Sequence, residues 1–200
     1  MLTARNLTLA DLGNINNCIQ RHTTMYSVPM EHGLILDRFR NYINDHKAVG
    51  VFEGDECVGV STQYFWSKMP IWSASNMFLL TNTDSLFLTK NTIIIMGMLL
   101  EQMIANGEND DRYEFYYVTR DSTKLSKKIK SYNTIMETNT PVAKRYDYID
   151  IHVLTNANDI KWDYVREIVG EHGLKALSPP YNKTLIIRKG ILKSEYRKIV

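Results

Sequence analysis

The segment TKNTIIIMGMLLEQMIANG, residues 89–107, combines two features that could support chemistry. Its apolar residues recur at helical spacing, which predicts one long helix with a buried face. The first turn of a helix has backbone N–H groups without intrahelical partners, and the helix dipole adds positive charge there. Asn91, Thr92 and Ile93 are predicted in that turn, so their backbone could bind a phosphate. An Asn91 or Thr89 side chain could instead cap the same N–H groups.

Histidine and cysteine are the other residue types that commonly act in catalysis or metal binding. The histidines show no paired metal-ligand spacing, so we expect no metal site. Cys18 lies on a predicted apolar helix face and Cys57 at a predicted strand start, which favours structural thiols over a nucleophile. Two cysteines without a framework spacing indicate a reducing compartment. The five histidines are His22, His32, His46, His152 and His172.

The overall composition is that of an ordinary globular domain. The chain has 200 residues, 44% hydrophobic and 23% charged, with a net charge of +2. This charge gives no reason to expect a nucleic-acid or membrane partner. The N-terminus lacks an apolar signal core and the longest apolar run, IIIMGMLL, is too short to span a bilayer, so we expect a cytoplasmic location. The many Asn, Ile, Lys and Tyr residues favour an AT-rich genome, such as that of a virus or phage.

Hydrophobic periodicity predicts the elements that position these residues. A capping-box-like Thr8 and Asp11 open a first helix, and a second helix follows Pro29. Period-2 segments joined by short polar turns then predict an antiparallel meander, and Gly107 is predicted to stop the helix after it. The meander strands are 47–53, 57–66 and 71–81; a strand at 112–119, a helix at 121–136, a strand at 144–154, an extra helix at about 158–170 and a strand at 183–192 follow.

This element order, together with the opening RNLTLADLGNI, resembles the GNAT superfamily of N-acetyltransferases. The resemblance implies one α/β domain over residues 1–200, with a mixed, mostly antiparallel central sheet flanked by helices and splayed between strands 4 and 5. It also implies that acetyl-CoA lies in the splay. Its pyrophosphate would then rest on the N-terminus of the following helix, at Asn91, Thr92 and Ile93.

The phosphate loop of that family departs from its usual pattern in this chain. The loop normally has Gln or Arg, then glycines or alanine at fixed spacing, then a Leu-Leu pair that Leu99 and Leu100 match. Counting back places Asn91 in the Arg position. The small-residue positions hold Thr92, Ile94 and Met96, whose side chains would crowd a phosphate where glycine would not.

The resemblance also suggests the acid and base. Many of these enzymes use a tyrosine in the helix after the fifth strand to protonate the leaving thiolate. Tyr132 is the candidate here, with Lys127 or Lys128 at the counted position and core packing as the alternative role for Tyr132. A glutamate on the fourth strand often acts as base, but IWSASNMFLLT contains no acid.

Two further sets of residues remain open to several interpretations. The aromatic residues Tyr64, Phe65, Trp66 and Trp72 flank one turn, and they could pack the sheet, line an acceptor pocket or form a homodimer contact. Two basic clusters could be solvated, could bind the 3′-phosphate of coenzyme A or could bind a nucleic-acid backbone. The clusters are Lys124, Lys127, Lys128 and Lys130, and Lys183, Arg188, Lys189, Lys193, Arg197 and Lys198.

The sequence therefore supports two hypotheses from different classes. The first is an N-acetyltransferase that moves an acetyl group from acetyl-CoA to an amine on a small molecule or peptide. Positioning and a backbone oxyanion contact would supply most of its catalysis. The second is a GNAT-fold binding or structural module that has lost the cofactor loop.

Overall fold

A computed structural model describes residues 1–22, 32–45, 47–79, 90–121 and 140–197. Within these residues, seven strands form one sheet in the order β1-β2-β3-β4-β5-β7-β6. All neighbouring strands are antiparallel except β4 and β5, which are parallel. The strands are β1 Leu2–Asn6, β2 Ala48–Glu53, β3 Glu56–Phe65, β4 Ile71–Leu79, β5 Glu114–Asp121, β6 Tyr146–Leu154 and β7 Thr184–Leu192.

In the described part of the chain, four α-helices cover the two faces of this sheet. They are α1 Leu12–His22, α2 His32–Asn44, α3 Lys90–Asn109 and α4 Asp163–Leu177. Successive strand residues point to opposite faces, so alternate residues of β2 and β5 enter different cores. Val51 and Phe115 pack with α3, Phe52 packs with α1 and α2, and Tyr116 packs with α4. The mixed, mostly antiparallel sheet predicted from the sequence is confirmed.

The predicted meander is also confirmed, with boundaries shifted by one or two residues. β2 pairs with β3 across the turn at Gly54, whose φ of 61° is in the left-handed region that glycine adopts easily. β3 pairs with β4 from Phe65↔Trp72 to Gly59↔Leu79. The two last residues of the predicted strand 71–81 lie outside the described residues, as do residues 122–136 of the helix predicted at 121–136. Asp121, the first residue of that predicted helix, is instead the last residue of β5.

The extra helix between β6 and β7 was predicted at the right place but with wrong ends. Asn158, where the predicted helix begins, lies instead in a short 3-10 turn formed by residues 157–159. The Asn156 side chain caps this turn by accepting from the Asn158 N–H at 2.8 Å. α4 begins at Asp163 and continues to Leu177. Gly170 has a φ of 67°, the backbone conformation that commonly ends a helix, but the chain resumes helical geometry after it.

An ion pair fixes the first strand to the entrance of the first helix. The Arg5 guanidinium donates to both Asp11 carboxylate oxygens, at 2.6 and 2.8 Å. The same carboxylate accepts from the backbone N–H and the hydroxyl of Thr8, both at 2.8 Å, as the capping pattern predicts. Residues 9–11 form a 3-10 turn before α1. The hydrogen bonds from Arg5 hold the pKa of the buried Asp11 carboxyl at about 2.

This pKa predicts how acid destabilises the fold. The folded-state pKa of Asp11 lies below the unfolded value, so Asp11 stabilises the fold above about pH 4 and the contribution is lost as the pH falls towards 2. We expect Asp11→Asn to lower the free energy of unfolding by about 2 kcal/mol at pH 7 and by much less at pH 2, measured by urea unfolding. Asp37→Asn, which removes an exposed pair with Arg40, is the control and should change it by under about 0.5 kcal/mol. Equal losses at both pH values would contradict the assignment.

Gly107 does not stop α3, contrary to the sequence prediction, because the helix continues to Asn109. Its role is close packing. A Cβ at this position would lie 2.3 Å from the Trp72 Nε1 atom, so the indole ring occupies the space that a side chain would need. Trp72 is completely buried, and its Nε1 has no hydrogen-bond partner in the described part of the chain. The missing side chain therefore lets α3 lie directly on the start of β4.

Two matched glycine substitutions test this packing. Gly107→Ala should destabilise the fold by about 1–3 kcal/mol, since Trp72 cannot move without disturbing the core. Gly13→Ala in α1 meets nothing within 4 Å, so it should stabilise the fold by up to about 1 kcal/mol through helix propensity. Thermal or urea unfolding of both variants gives the comparison. If Gly107→Ala were as stabilising as Gly13→Ala, the close contact with Trp72 would be wrong.

Candidate functional site at the diverging strands

The parallel strands β4 and β5 are paired at one end only. Their register contains three pairs, Ile71↔Glu114, Trp72↔Phe115 and Ser73↔Tyr116. Beyond Ser73, β4 continues to Leu79 and β5 continues to Asp121, and within these two fully described strands no further residues pair with each other. We call this divergence the splay. It confirms the opening that the sequence resemblance implied between strands 4 and 5.

Aromatic packing holds the closed end of the splay together. Trp72 on β4 and Phe115 on β5 stack with ring centroids 4.5 Å apart and planes inclined by 14°. Tyr146 meets the Phe115 ring edge-to-face at 5.3 Å. A Cβ on Gly190 of β7 would lie 2.5 Å from the same ring, so β7 also leaves room for it. Both stacked rings are completely buried, which makes this end of the parallel pair hard to separate.

Arg112 strengthens the closed end from the turn before β5. Its Nη1 lies 2.6, 2.9 and 2.9 Å from the backbone oxygens of Trp66, Met69 and Ile71. Its Nε donates to the Asp110 carboxylate at 2.5 Å. These oxygens belong to the turn between β3 and β4, so Arg112 ties that turn to the start of β5. The two strands are therefore fixed to each other where the splay begins.

Replacing Arg112 should loosen this end. Arg112→Lys keeps the charge but loses the planar fork that reaches several carbonyl oxygens, so we expect a loss of about 1–3 kcal/mol in the free energy of unfolding. Arg40→Lys, at an exposed pair with Asp37, is the matched control and should cost under about 0.5 kcal/mol. Denaturant unfolding measures both, and an Arg112→Lys protein as stable as the control variant would rule out the clamp.

The helix that follows β4 begins at Lys90, which places Asn91 and Thr92 in its first turn. Ile93 lies one position further, where the backbone N–H can already bond within the helix. The first turn of α3 therefore contains Asn91 and Thr92, and their role in anion binding stays a prediction. Ile94, in a position where the related loop has a small residue, is 43% exposed. Thr89, the alternative cap, lies outside the described residues.

Polar contacts hold the second half of α3 in place. The buried Gln63 side chain donates to the Met103 backbone oxygen at 2.8 Å. Asn106 donates to the side-chain oxygens of Asn6 at 2.8 Å and Gln63 at 3.3 Å. The Glu108 carboxylate accepts from Arg145 at 2.8 Å. These contacts reach β1, β3 and the turn before β6, so they set where the first turn of α3 lies relative to the sheet.

One titratable group beside the splay was not identified from the sequence. Tyr116 is the last β5 residue paired with β4, and burial raises the pKa of its phenol. The Lys189 ammonium lies 5.6 Å from its ring centroid and 2.7 Å from the Glu114 carboxylate. The alternation in RYEFYYVTR indicated that Glu114 and Tyr116 share a face, but only the pairing of β5 with β7 brings Lys189 to them. Burial keeps the Tyr116 phenol protonated at neutral pH, because it raises the phenol pKa by more than the nearby Lys189 ammonium lowers it.

The other residues assigned from the resemblance cannot be placed. Tyr132, Lys127 and Lys128 lie outside the described residues, as does the basic cluster that contains Lys124 and Lys130.

In the second basic cluster, four cations contact groups of the same chain. Arg188 pairs with Asp150, Lys189 with Glu114 at 2.7 Å, Lys193 donates to the Lys144 oxygen at 2.8 Å, and Arg197 donates to the Leu192 oxygen at 3.0 Å.

The aromatic residues around the β3–β4 turn pack mainly inside the sheet. Trp66 and Trp72 are buried, Tyr64 meets Trp66 edge-to-face at 5.2 Å, and Phe65 packs against the α3 core. Among the described residues, no cluster of three or more His, Cys, Asp or Glu side chains could hold a metal ion. No helix in the same residues is long and apolar enough to cross a membrane.

Comparisons with known proteins bear on the fold. No protein-family model and no curated protein matches the sequence. The ribosomal-protein-S18-alanine N-acetyltransferase from Escherichia coli is similar in structure, with a TM-score of 0.60 and 11% identity over 100% of this chain and 99% of that chain. An N-acetyltransferase from Staphylococcus aureus Mu50 gives a TM-score of 0.59 and 15% identity over 96% and 99% of the two chains.

A third similar structure, from Salmonella typhimurium, was solved with its cofactor acetyl-CoA. Its TM-score is 0.57 and its identity 9%, over 98% of this chain and 96% of that chain. A similar structure from Desulfovibrio desulfuricans is assigned to the GNAT family by name. At these identities the likeness concerns the path of the backbone alone. The chain has the GNAT fold of the N-acetyltransferases.

Proposed function

We propose that this protein transfers an acetyl group from acetyl-CoA to a primary amine on a small molecule or peptide. The observation that carries the proposal is the splay between β4 and β5. Beyond Ser73 the edge of β4 that faces β5 has backbone N–H and C=O groups with no partner on β5. β5 is paired with β7 along its whole length, so the open edge of β5 is the one inside the splay.

Those open edges suit the chemistry of coenzyme A. Its pantetheine arm contains two amide groups, and an extended amide chain can add to the edge of a strand by backbone hydrogen bonds. Its pyrophosphate is an anion that fits free N–H groups at the first turn of α3, at Asn91 and Thr92. The closed end of the splay, made by Trp72 and Phe115, is apolar and dry. It would exclude water from a thioester held above it.

The chain's own groups would then act on a bound acetyl donor as follows. Acetyl-CoA supplies an activated acyl carbon, and a backbone N–H of β4 would stabilise negative charge on its carbonyl oxygen. The amine must be neutral to attack, so the site has to bind it without retaining its extra proton. Tyr132 is the proposed donor of a proton to the departing thiolate, and Tyr116 is too enclosed for that role.

The proposal is tested first by binding. A ligand at 100 times its dissociation constant stabilises the fold by about 2.7 kcal/mol, which raises the melting temperature of a protein this size by several degrees. We expect millimolar acetyl-CoA to produce such a shift. Thr92→Trp should abolish it by blocking the first turn of α3. Ala105→Trp, at an exposed position further along the same helix, should leave it unchanged.

The catalytic step needs a separate measurement. We expect release of free coenzyme A thiol in the presence of a panel of primary amines and N-terminal peptides, followed with a thiol reagent. Tyr132→Phe should lower kcat by about 10²–10⁴-fold, the usual size of a general-acid contribution, with little change in acetyl-CoA binding. Binding of acetyl-CoA without turnover on any amine would contradict the enzyme proposal.

A second function is favoured by the residues that replace the small positions of the phosphate loop. Thr92, Ile94 and Met96 stand there, and Gly97, the nearest glycine, accommodates Thr140, whose methyl carbon would lie 2.8 Å from an added Cβ. The only glycine near the first turn is therefore used for packing. On this alternative the protein is a GNAT-fold binding module, and neither acetyl-CoA nor coenzyme A would shift its melting temperature.

A further inference from the structure

The only two cysteines of the chain meet at one cavity. Cys18 is on α1 and Cys57 is at the start of β3, and their side chains are 1% and 2% exposed. Both line a cavity of about 200 Å³ between these two elements. The rest of the lining is polar, with Arg21 and Glu56 and three amide side chains of α1. Residues 39 positions apart in the sequence are thus adjacent, with both sulfurs free.

The two thiols are close enough to share a hydrogen bond. The Cys57 thiol lies 3.5 Å from the Gly59 backbone oxygen, to which it donates. The hydrogen bond between Cys18 and Cys57, followed by burial, raises the pKa of the Cys18 thiol. Cys18 therefore keeps its proton and can donate it to a hydrogen bond with the Cys57 sulfur. This arrangement makes Cys57 the sulfur that reacts first and Cys18 the thiol that resolves the product.

The cavity also gives a small oxidant access to these sulfurs. An exposed ion pair between Arg21 and Glu56 lies in its lining. A volume near 200 Å³ holds a molecule of a few heavy atoms, whereas one water needs only about 15 Å³ on a comparable measure. The Arg21 guanidinium lines the same cavity, and its N–H groups can donate hydrogen bonds to a peroxide oxygen.

We propose that Cys18 and Cys57 form an oxidation site, at which a hydroperoxide converts the two thiols into one disulfide that joins α1 to β3. With hydrogen peroxide, the Cys57 thiol loses its proton while its sulfur attacks one peroxide oxygen and the O–O bond breaks. The departing hydroxide takes up that proton and leaves as water, and Cys57 becomes a sulfenic acid. The Cys18 thiol then attacks the Cys57 sulfur, forms the S–S bond and releases a second water. The peroxide accepts two electrons and the two thiols lose two hydrogen atoms.

The test uses the full chain and hydrogen peroxide. Titration of thiols after denaturation should fall from two per chain to none, and dithiothreitol should restore both. Peptide mapping should show one cross-linked pair containing Cys18 and Cys57, in a protein that remains monomeric on a non-reducing gel. The oxidised protein should melt several degrees higher, because the bond closes a long loop of the unfolded chain.

Three variants separate this site from incidental oxidation. Cys18→Ser should accumulate a Cys57 sulfenic acid that dimedone traps, since the resolving thiol is missing. Cys57→Ser should leave Cys18 unreacted at the same dose, and Arg21→Gln should slow disulfide formation several-fold. Two thiols that survive peroxide, a disulfide between separate chains, or a Cys57→Ser protein that reacts as fast as the wild type would each overturn the proposal.

Discussion

The stack of Trp72 on Phe115 is the contact on which the rest of the site depends. It lies at the middle one of the three residue pairs between β4 and β5. It therefore joins the two halves of the sheet where only a short run of residues is paired. Elsewhere each strand is held by an antiparallel partner on its other side. Losing a fully buried tryptophan of this kind costs about 3–5 kcal/mol, which is a large part of the stability of a small protein.

Three other features make sense once this stack is considered. The Trp72 ring occupies the space that a side chain on Gly107 would need, and the Phe115 ring does the same at Gly190. Arg112, just before β5, donates to backbone oxygens of Trp66 and Ile71 and so joins the start of β5 to the start of β4. Beyond Ser73 and Tyr116 the two strands no longer pair with each other, and they diverge. The opening of the sheet is thus a consequence of where its closing contacts end.

Much of the fold could be predicted from the sequence because its signals are local. Period-2 segments located β2, β3 and β4, and the helical spacing between Ile93 and Ile104 located α3. The ends of α3 and α4 were less predictable. Glycine commonly ends a helix, but both helices continue past Gly107 and Gly170. Gly107 is instead needed because the Trp72 ring on β4, distant in sequence, fills the space of a side chain. Gly170 does adopt a backbone conformation that commonly ends a helix, but the helix resumes beyond it and runs to Leu177.

The candidate site was predicted less completely. The first turn of α3 was located at Asn91 and Thr92 because a helix start follows from periodicity. The splay itself came only from resemblance, since no local pattern distinguishes a strand that leaves its neighbour. Arg112 and Tyr116 were missed because their roles depend on partners distant in sequence. Trp66 lies 46 residues from Arg112, and Lys189 lies 73 residues from Tyr116. The meeting of Cys18 with Cys57 was missed for the same reason.

The anchoring of α3 through its second half has a consequence for how such a protein can change over evolution. Gln63, Asn106 and Glu108 fix the helix through contacts with its second half. The entropy of closing a connection rises only slowly with its length, by about 0.6 kcal/mol for each doubling. Insertions or deletions between β4 and α3 can therefore accumulate at little thermodynamic cost while the helix start keeps its place. Ligand preference at that end can diversify without any change in the scaffold that carries it.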